Sequence, residues 1–453
     1  MFITELLLIC TMIGSIAYQA YLFIKTDSPT TQTVANTEPL QESATKQLTQ
    51  ETSIVEPSIN ELDDLLEEAK NSYRVKADQG DAKAQFHLAI AYEQDGNLVQ
   101  AKKWLKLAAD QGHVKAQNNL GLLYLIEGNL EQAERQLKAA AHKNYKRAQF
   151  NLGVFYFENE KIEPAKEFFK LAANQNHHEA QYFLACIYND EDNKDQAKLY
   201  YKLAARQGHV KSQYQLGFIY AQENNTQEAK HWLKLASDQN NVDAQFDLGI
   251  IYSLEGDLEQ AKNYYKLAAD QNDMEAQFNL GVMYADEKNN EQAKYYYKLA
   301  ADNGNSNAQY NLGLLYLSEG STELAKKSLE PASDQGNKIA QHLLGTIYHS
   351  VKDIVNAKKY FQLAADQGYG DSQYNLGIIY TEEGNMEQAK HWYKLSAEQG
   401  DKDAQYNLGL LYRMEDNEIQ ANYWLKLAAE DGDIKALDHL YSMASSKTTN
   451  SAS

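Results

Sequence analysis

The 453 residues include only five prolines, 32 tyrosines and 11% aromatics, a composition that points to one long, uniformly helical body. The formal net charge is -20, from 63 acidic against 43 basic residues, which argues against a nucleic-acid partner, because neutralising phosphates takes clustered Lys and Arg. Two cysteines, Cys10 in an apolar run and Cys186 at an apolar helix position, exclude a disulfide framework.

Residues 6–24 carry no charge and have about the length needed to cross ~30 Å of hydrocarbon, which predicts an N-terminal transmembrane helix within residues 1–25. A cleaved signal peptide is the alternative: Ser15-Ile16-Ala17 offers small residues at the cleavage spacing, but the segment before the apolar run holds Glu5 and no Lys or Arg. Ile9 before Cys10 argues against a lipoprotein signal. Lys25 and Asp27 flank one end, and the amino terminus and Glu5 the other, so flanking charge does not orient the segment. The expectation taken forward is a single-pass membrane protein with its repeats on the periplasmic or extracellular side, or a secreted protein if the segment is cleaved. Residues 26–60 are rich in Thr, Ser, Gln and Glu and hold Pro29, Pro39 and Pro57, the composition of a disordered linker. Ser43-Ala44-Thr45-Lys46 in that linker matches a Ser-x-x-Lys catalytic pattern, a match expected by chance in such a composition.

From residue 61 to 445 the chain repeats. Ala-Gln or Ser-Gln begins at Ala84, Ala116, Ala148, Ala180, Ser212, Ala244, Ala276, Ala308, Ala340, Ser372 and Ala404, always 32 apart. In the first half of a repeat, apolar positions 84, 88, 91 and 92 share one helical face, predicting a helix A over roughly 82 to 94. Ala101, Trp104, Leu105 and Ala108 repeat the spacing for a helix B over roughly 98 to 111, and turns such as Gly96-Asn97 and Gly256-Asp257 supply a stop and a new N-cap. Helix B is always followed by Gly or Asn, from Gly112 and Asn144 to Gly432, which predicts a left-handed C-terminal cap in every repeat. Gly at 121, 153, 217, 249, 281, 313, 345, 377 and 409 predicts close approach of the two helices. The four tryptophans (Trp104, Trp232, Trp392, Trp424) share one repeat position, read as packing between repeats. Pro331 inside a helix B predicts a local kink. The array opens with an unpaired helix B (69 to 79) and closes with a helix A near 434 to 444, where Leu437, Tyr441 and Ala444 depart from the pattern as in a capping repeat. Residues 446–453 read as a disordered tail.

The recurring Ala-x-Ala-Gln-x-Asn-Leu-Gly-x-x-Tyr, followed by Lys-Ala-x-x-Trp-Tyr-x-Lys-Ala-Ala-x-Gln-Gly, is similar to the Sel1-like repeat, a relative of the tetratricopeptide repeat, over about 69 to 445. The repeats here lack the Gly-x-Gly-Val-x-x-Asp loop that usually separates the two helices. The resemblance implies an all-α fold, a right-handed α-α superhelical solenoid, and a non-enzymatic scaffold or adaptor that holds other proteins, often at membranes. Some bacterial members engage host proteins such as secretory immunoglobulin A. One branch carries a penicillin-binding or β-lactamase label, but this chain lacks that branch's paired cysteines within each repeat.

If helix A lines an inner surface, as in tetratricopeptide arrays, the third position of Ala-Gln-x forms a candidate partner-binding ladder: Phe86, Phe150, Tyr182, Tyr214, Phe246, Phe278, Tyr310, Tyr374 and Tyr406. Rings that only bridge neighbouring helices would give the same pattern, and Asn118 and His342 interrupt it. One position before the motif, Lys83, Lys115, Arg147 and Lys211 give way to Asp243, Glu275, Asp371 and Asp403, either a gradient that a bound segment could read or a solvated face of random sign. No metalloprotease motif, nucleophile elbow, phosphate loop or dinucleotide fingerprint occurs, and no enzyme activity, cofactor or metal is expected. His177-His178 are adjacent in a loop, a spacing that does not put both rings on one helical face. Asp190-x-Asp192-x-Lys194-Asp195 lacks the Gly and Glu of a calcium loop.

Overall fold

A computed structural model describes residues 70–440. Among these the chain is all-α: 22 helices from Ala82–Gln94 to Glu418–Glu430, preceded by a helical segment at 70–78 and followed by one at 434–440. They form a helical solenoid of repeats, in which A helices such as Val114–Ile126 alternate with B helices such as Leu130–Ala141. The chain divides into two compact units, one ending at Glu223 and the next beginning at Asn224.

Every junction uses the same device. The amide of Gly112 donates to the carbonyl of Ala109 at 2.8 Å and that of His113 to Ala108 at 3.0 Å, which satisfies the last carbonyls of helix B while Gly112 takes φ 82. At most junctions the side chain of the residue after the left-handed one then caps the next helix, as Asn305 does by accepting from the Ala308 amide at 2.8 Å; Tyr145, Lys161, Ser321 and Tyr369 do not. The expected Gly and Asn closers of helix B are left-handed throughout, from Gly80 to Gly432. The A-to-B turn is left-handed as well, even where the residue is Glu160 (φ 59), Lys288 (φ 60) or Lys352 (φ 62). Helix Thr322–Asp334 runs through Pro331 without interruption.

The predicted close approach of A and B helices is real. A Cβ added at Gly153 would lie 2.6 Å from the Phe169 ring and one at Gly281 2.4 Å from the Tyr297 ring, so each glycine is the seat of a bulky side chain from its own repeat's helix B. The motif glutamine does a second job. Gln117 is buried and donates its side-chain amide to the carbonyl of Ala109 at the end of the preceding helix B, at 3.2 Å. In most repeats its oxygen in turn accepts from the glutamine 26 residues on, as in Gln271 to Gln245 at 2.8 Å and Gln399 to Gln373 at 2.7 Å. In those repeats a buried amide satisfied on both sides fixes the register of one repeat on the next, whereas Gln117 and Gln405 are bonded through the amide nitrogen alone.

No helix among the described residues is long and apolar enough to cross a membrane; the predicted anchor at 6–24, the linker at 26–60 and the tail at 446–453 lie outside them.

Candidate functional site

The ladder positions fall on the A helices, but none of the rings is fully exposed. Phe86 and Phe150 are buried and the other seven are half-buried. Most rest on an aromatic ring of their own repeat's helix B: Phe150 on Phe169 at 5.9 Å, Tyr182 on Tyr201 at 6.0 Å, Phe246 on Tyr265 at 5.8 Å, Phe278 on Tyr297 at 6.0 Å and Tyr374 on Tyr393 at 5.8 Å. Phe86 lies 4.8 Å from His113, Tyr214 lies 6.2 Å from Phe218 and Tyr406 lies 5.7 Å from His439. Tyr310 packs on the cluster around Leu329 and Leu344. These rings bury most of their faces in the fold and keep an edge or a hydroxyl accessible, the usual compromise of a tyrosine at an interface. Burial pushes the hydroxyls of Tyr374 and Tyr406 up from the ordinary tyrosine value, so both stay protonated donors at neutral pH.

Sequence reasoning missed the exposed apolar groups one turn further on. Phe218 is 40% exposed and Leu314 37% exposed, each four residues after a ladder tyrosine and so on the same helical face. The charged row precedes the ladder by three residues. In the first unit Lys83, Lys115 and Lys211 are exposed and Arg147 half-buried; in the second Asp243, Glu275, Asp371 and Asp403 are all exposed. Within each unit the A-helix face therefore sets a charged row of one predominant sign beside half-buried rings.

A separate set of contacts joins repeats through their surfaces. Lys102, Lys198, Lys230, Lys358 and Lys390 on B helices reach the glutamate 25 residues on, at 2.5 to 2.7 Å; Lys262 and Glu287 form the same pair. The ammonium also sits over the tyrosine three residues before that glutamate, as in Lys198 over Tyr220 at 4.0 Å and Lys358 over Tyr380 at 3.9 Å. These contacts are structural and point to no chemistry.

The adjacent pair His177-His178 is not isolated in space. His209, the N-cap of the next A helix, brings its Nε2 to 3.3 Å from Glu179 Oε2, while His178 Nδ1 lies 3.6 Å from Glu179 Oε1. Burial would push the Glu179 carboxyl up, but the His209 bond and the neighbouring imidazoles hold it below its ordinary value. Burial pulls His178 down, and brings His177 to about 4. Dismissing His177-His178 on spacing alone overlooked a partner contributed by the following repeat.

The Sel1 repeat family matches residues 82–113, 210–241, 242–273, 275–305, 338–369, 370–401 and 402–433, and tetratricopeptide repeats match 118–176, 178–206 and 306–332. No curated protein matches the chain. Among solved structures, a protective antigen present in uropathogenic Escherichia coli strains and displaying an SLR fold is 29% identical, with a TM-score of 0.63, over 83% of this chain and 90% of that one. A Sel1 repeat protein from Oxalobacter formigenes is 22% identical, TM-score 0.37, over 46% of this chain and 99% of that one. YrrB, a tetratricopeptide-repeat protein with an unusual peptide-binding site, is 23% identical, TM-score 0.32, over 39% and 96%. With its residues matched by Sel1 repeats and their tetratricopeptide relatives along nearly the whole array, the chain belongs to the Sel1-like repeat family.

Proposed function

We propose that the A-helix face of each unit holds a segment of a partner protein, and that the apolar residues 6–24 tether this scaffold to a membrane with the repeats on its outer side. Proteins built from Sel1 and tetratricopeptide repeats are in general protein-interaction scaffolds, and the observation that carries the reading here is the charged row. This row is basic in the first unit at Lys83, Lys115, Arg147 and Lys211, with Glu179 the exception, and acidic at Asp243, Glu275, Asp371 and Asp403 in the second. Beside half-buried tyrosines and exposed apolar side chains such as Phe218 and Leu314, a row of one sign supplies orientation and on-rate while the rings supply area. The second unit accordingly takes a basic, partly apolar segment. Likeness at 29% identity to a protective antigen supports an outward-facing array, since an antigen that protects is reachable by antibody.

The test is cross-linked capture from intact cells by the full chain, the Asp243→Lys/Asp403→Lys variant and the Tyr310→Ala/Tyr374→Ala variant. A set of captured proteins lost from both variants, with protease cutting the repeats from outside the cell, is the expected result. Capture unchanged in both variants rejects the binding face, and repeats protected until lysis reject the outer location.

A further inference from the structure

We propose that His178, Glu179 and His209 form a site for one divalent transition-metal ion of the zinc class, a clip between two successive repeats. One ligand atom from each of the three residues falls within 4.8 Å of the other two. Two imidazoles and a carboxylate are the donor set that zinc-class ions take, with water or a partner's side chain completing the shell. His209 is nearly enclosed, with 9% of its side chain exposed, whereas His178 is 49% exposed. The site is therefore anchored on one side and open to entry on the other.

The constellation departs from the repeat, which is what separates it from ordinary surface chemistry. It is the combination that is singular: no other repeat has histidine at the His178 position, and although acidic residues recur at the Glu179 position (Asp243, Glu275) and histidine at the His209 position (His113, His177), no other pair of repeats brings the three together. His209 also has the outer partner that a metal-bound imidazole needs. Its Nδ1 now accepts from the Ser212 amide at 3.2 Å, leaving the proton on Nε2 toward Glu179. Ser212 Oγ stands 2.8 Å from the same Nδ1, at a position where nine of the eleven repeats have alanine. Moving the proton to Nδ1, with Oγ as its acceptor, frees the Nε2 lone pair for the metal; the Ser212 amide gives up its cap bond in that state. His177 lies beside His178, and both His178 and His209 must be neutral to bind the ion. Lys146 and Arg147, which add to the positive potential at these histidines, and the two helix N-termini oppose a cation; the Glu179 carboxylate offsets them, and the site is expected to be of moderate affinity.

The experiment is Zn²⁺ titration of the purified, tag-free full chain in detergent at pH 7.5, read by competition with a chromophoric chelator, with Mg²⁺ as control. Three single variants install what other repeats carry and so keep the fold: His178→Val, Glu179→Lys and His209→Asn, the last retaining the N-cap. The expected result is one Zn²⁺ per chain, no competition by Mg²⁺, a zinc-dependent rise in unfolding temperature, and binding weakened at least about tenfold by each variant. No stoichiometric uptake by the wild type, or uptake unchanged in all three variants with metal-free melting intact, overturns the proposal.

Discussion

In the first unit the helices beginning at Val114, His178 and Val210 are capped by histidine nitrogens and that beginning at Ala82 by Asp81, whereas in the second unit those beginning at Val242, Met274, Ser306, Lys338 and Lys402 are all capped by Asn or Asp oxygens. The buried frame does not differ: Leu120, Leu152 and Leu184 in one unit and Leu248, Leu280 and Leu344 in the other occupy the same repeat position, each almost wholly buried. One repeat thus supports two chemistries. An Asn or Asp cap accepts through oxygen, while a histidine nitrogen accepts only when neutral, and the first unit also buries Glu93 where Leu125 and Leu317 stand in other repeats.

The largest effect that would break this difference concerns those titrating groups. Burial pushes the Glu93 carboxyl up to about 7. Its raised value means the ionised form is penalised in the fold: the penalty is absent below the ordinary carboxylate value, grows as pH rises, and is complete above about 7. Glu93→Leu should therefore stabilise the protein at pH 8 by on the order of 3 kcal/mol, with much less gain at pH 5. Burial brings His177 down to about 4, which works in the opposite sense. Its neutral cap is fully present above the ordinary histidine value and is lost as pH falls from there through about 4. The two groups offset each other near pH 5 in the wild type, and only the Glu93→Leu background should expose acid-sensitivity of the first unit. Urea unfolding at pH 5 and 8 measures both; equal gains at the two pH values would remove Glu93 from the account.

Next in size is a change that should fail to distinguish the units. Gly153→Ala places a methyl 2.6 Å from Phe169 in the first, and Gly281→Ala places one 2.4 Å from Tyr297 in the second. Overpacking of this kind costs about 2 kcal/mol, and a shared frame requires similar losses at the two sites. A shift of the urea midpoint at one site only would show that the frames differ after all.

That frame is the part legible in the sequence. A period of 32 without insertion, a Gly or Asn closing each helix B and, in nine of eleven repeats, a Gly facing the bulky B residue all act within one repeat, so their meaning can be read from spacing. The rest depends on how repeats stack. Gln117 sits in the motif like any recurring polar residue, and only the stacked structure shows it satisfying Ala109 of the preceding helix. Lys352 at φ 62 is in a conformation its side chain disfavours, imposed by the junction around it and invisible to local preference. The ladder rings were located correctly on the A helices, but their packing onto B-helix rings such as Tyr265 and the meeting of Glu179 with His209 need tertiary placement.

The smallest effect sharpens the comparison most finely. The second unit's lysine-to-glutamate rungs at Lys230, Lys262, Lys294, Lys358 and Lys390 have one reversal in the first, where Glu134 occupies the lysine position and Asn159 the glutamate position. Glu134 instead accepts from the Tyr156 hydroxyl at 2.7 Å and pairs with Lys138 at 2.6 Å. Glu134→Lys alone gives up those bonds and meets Asn159, and Asn159→Glu alone sets a second carboxylate where the other rungs bring opposite charges together. The two changes together rebuild the rung, with the introduced ammonium over the Tyr156 ring as Lys198 lies over Tyr220. Because the rungs are part-exposed, the coupling in a double-mutant cycle should be only about 0.5 kcal/mol. It should shrink in high salt as the ionic part is screened, leaving the weaker ring contact. Coupling of zero at low salt would mean that the first unit's surface is not interchangeable with the second's, and that the reversal at Glu134 reflects a difference in how these repeats meet.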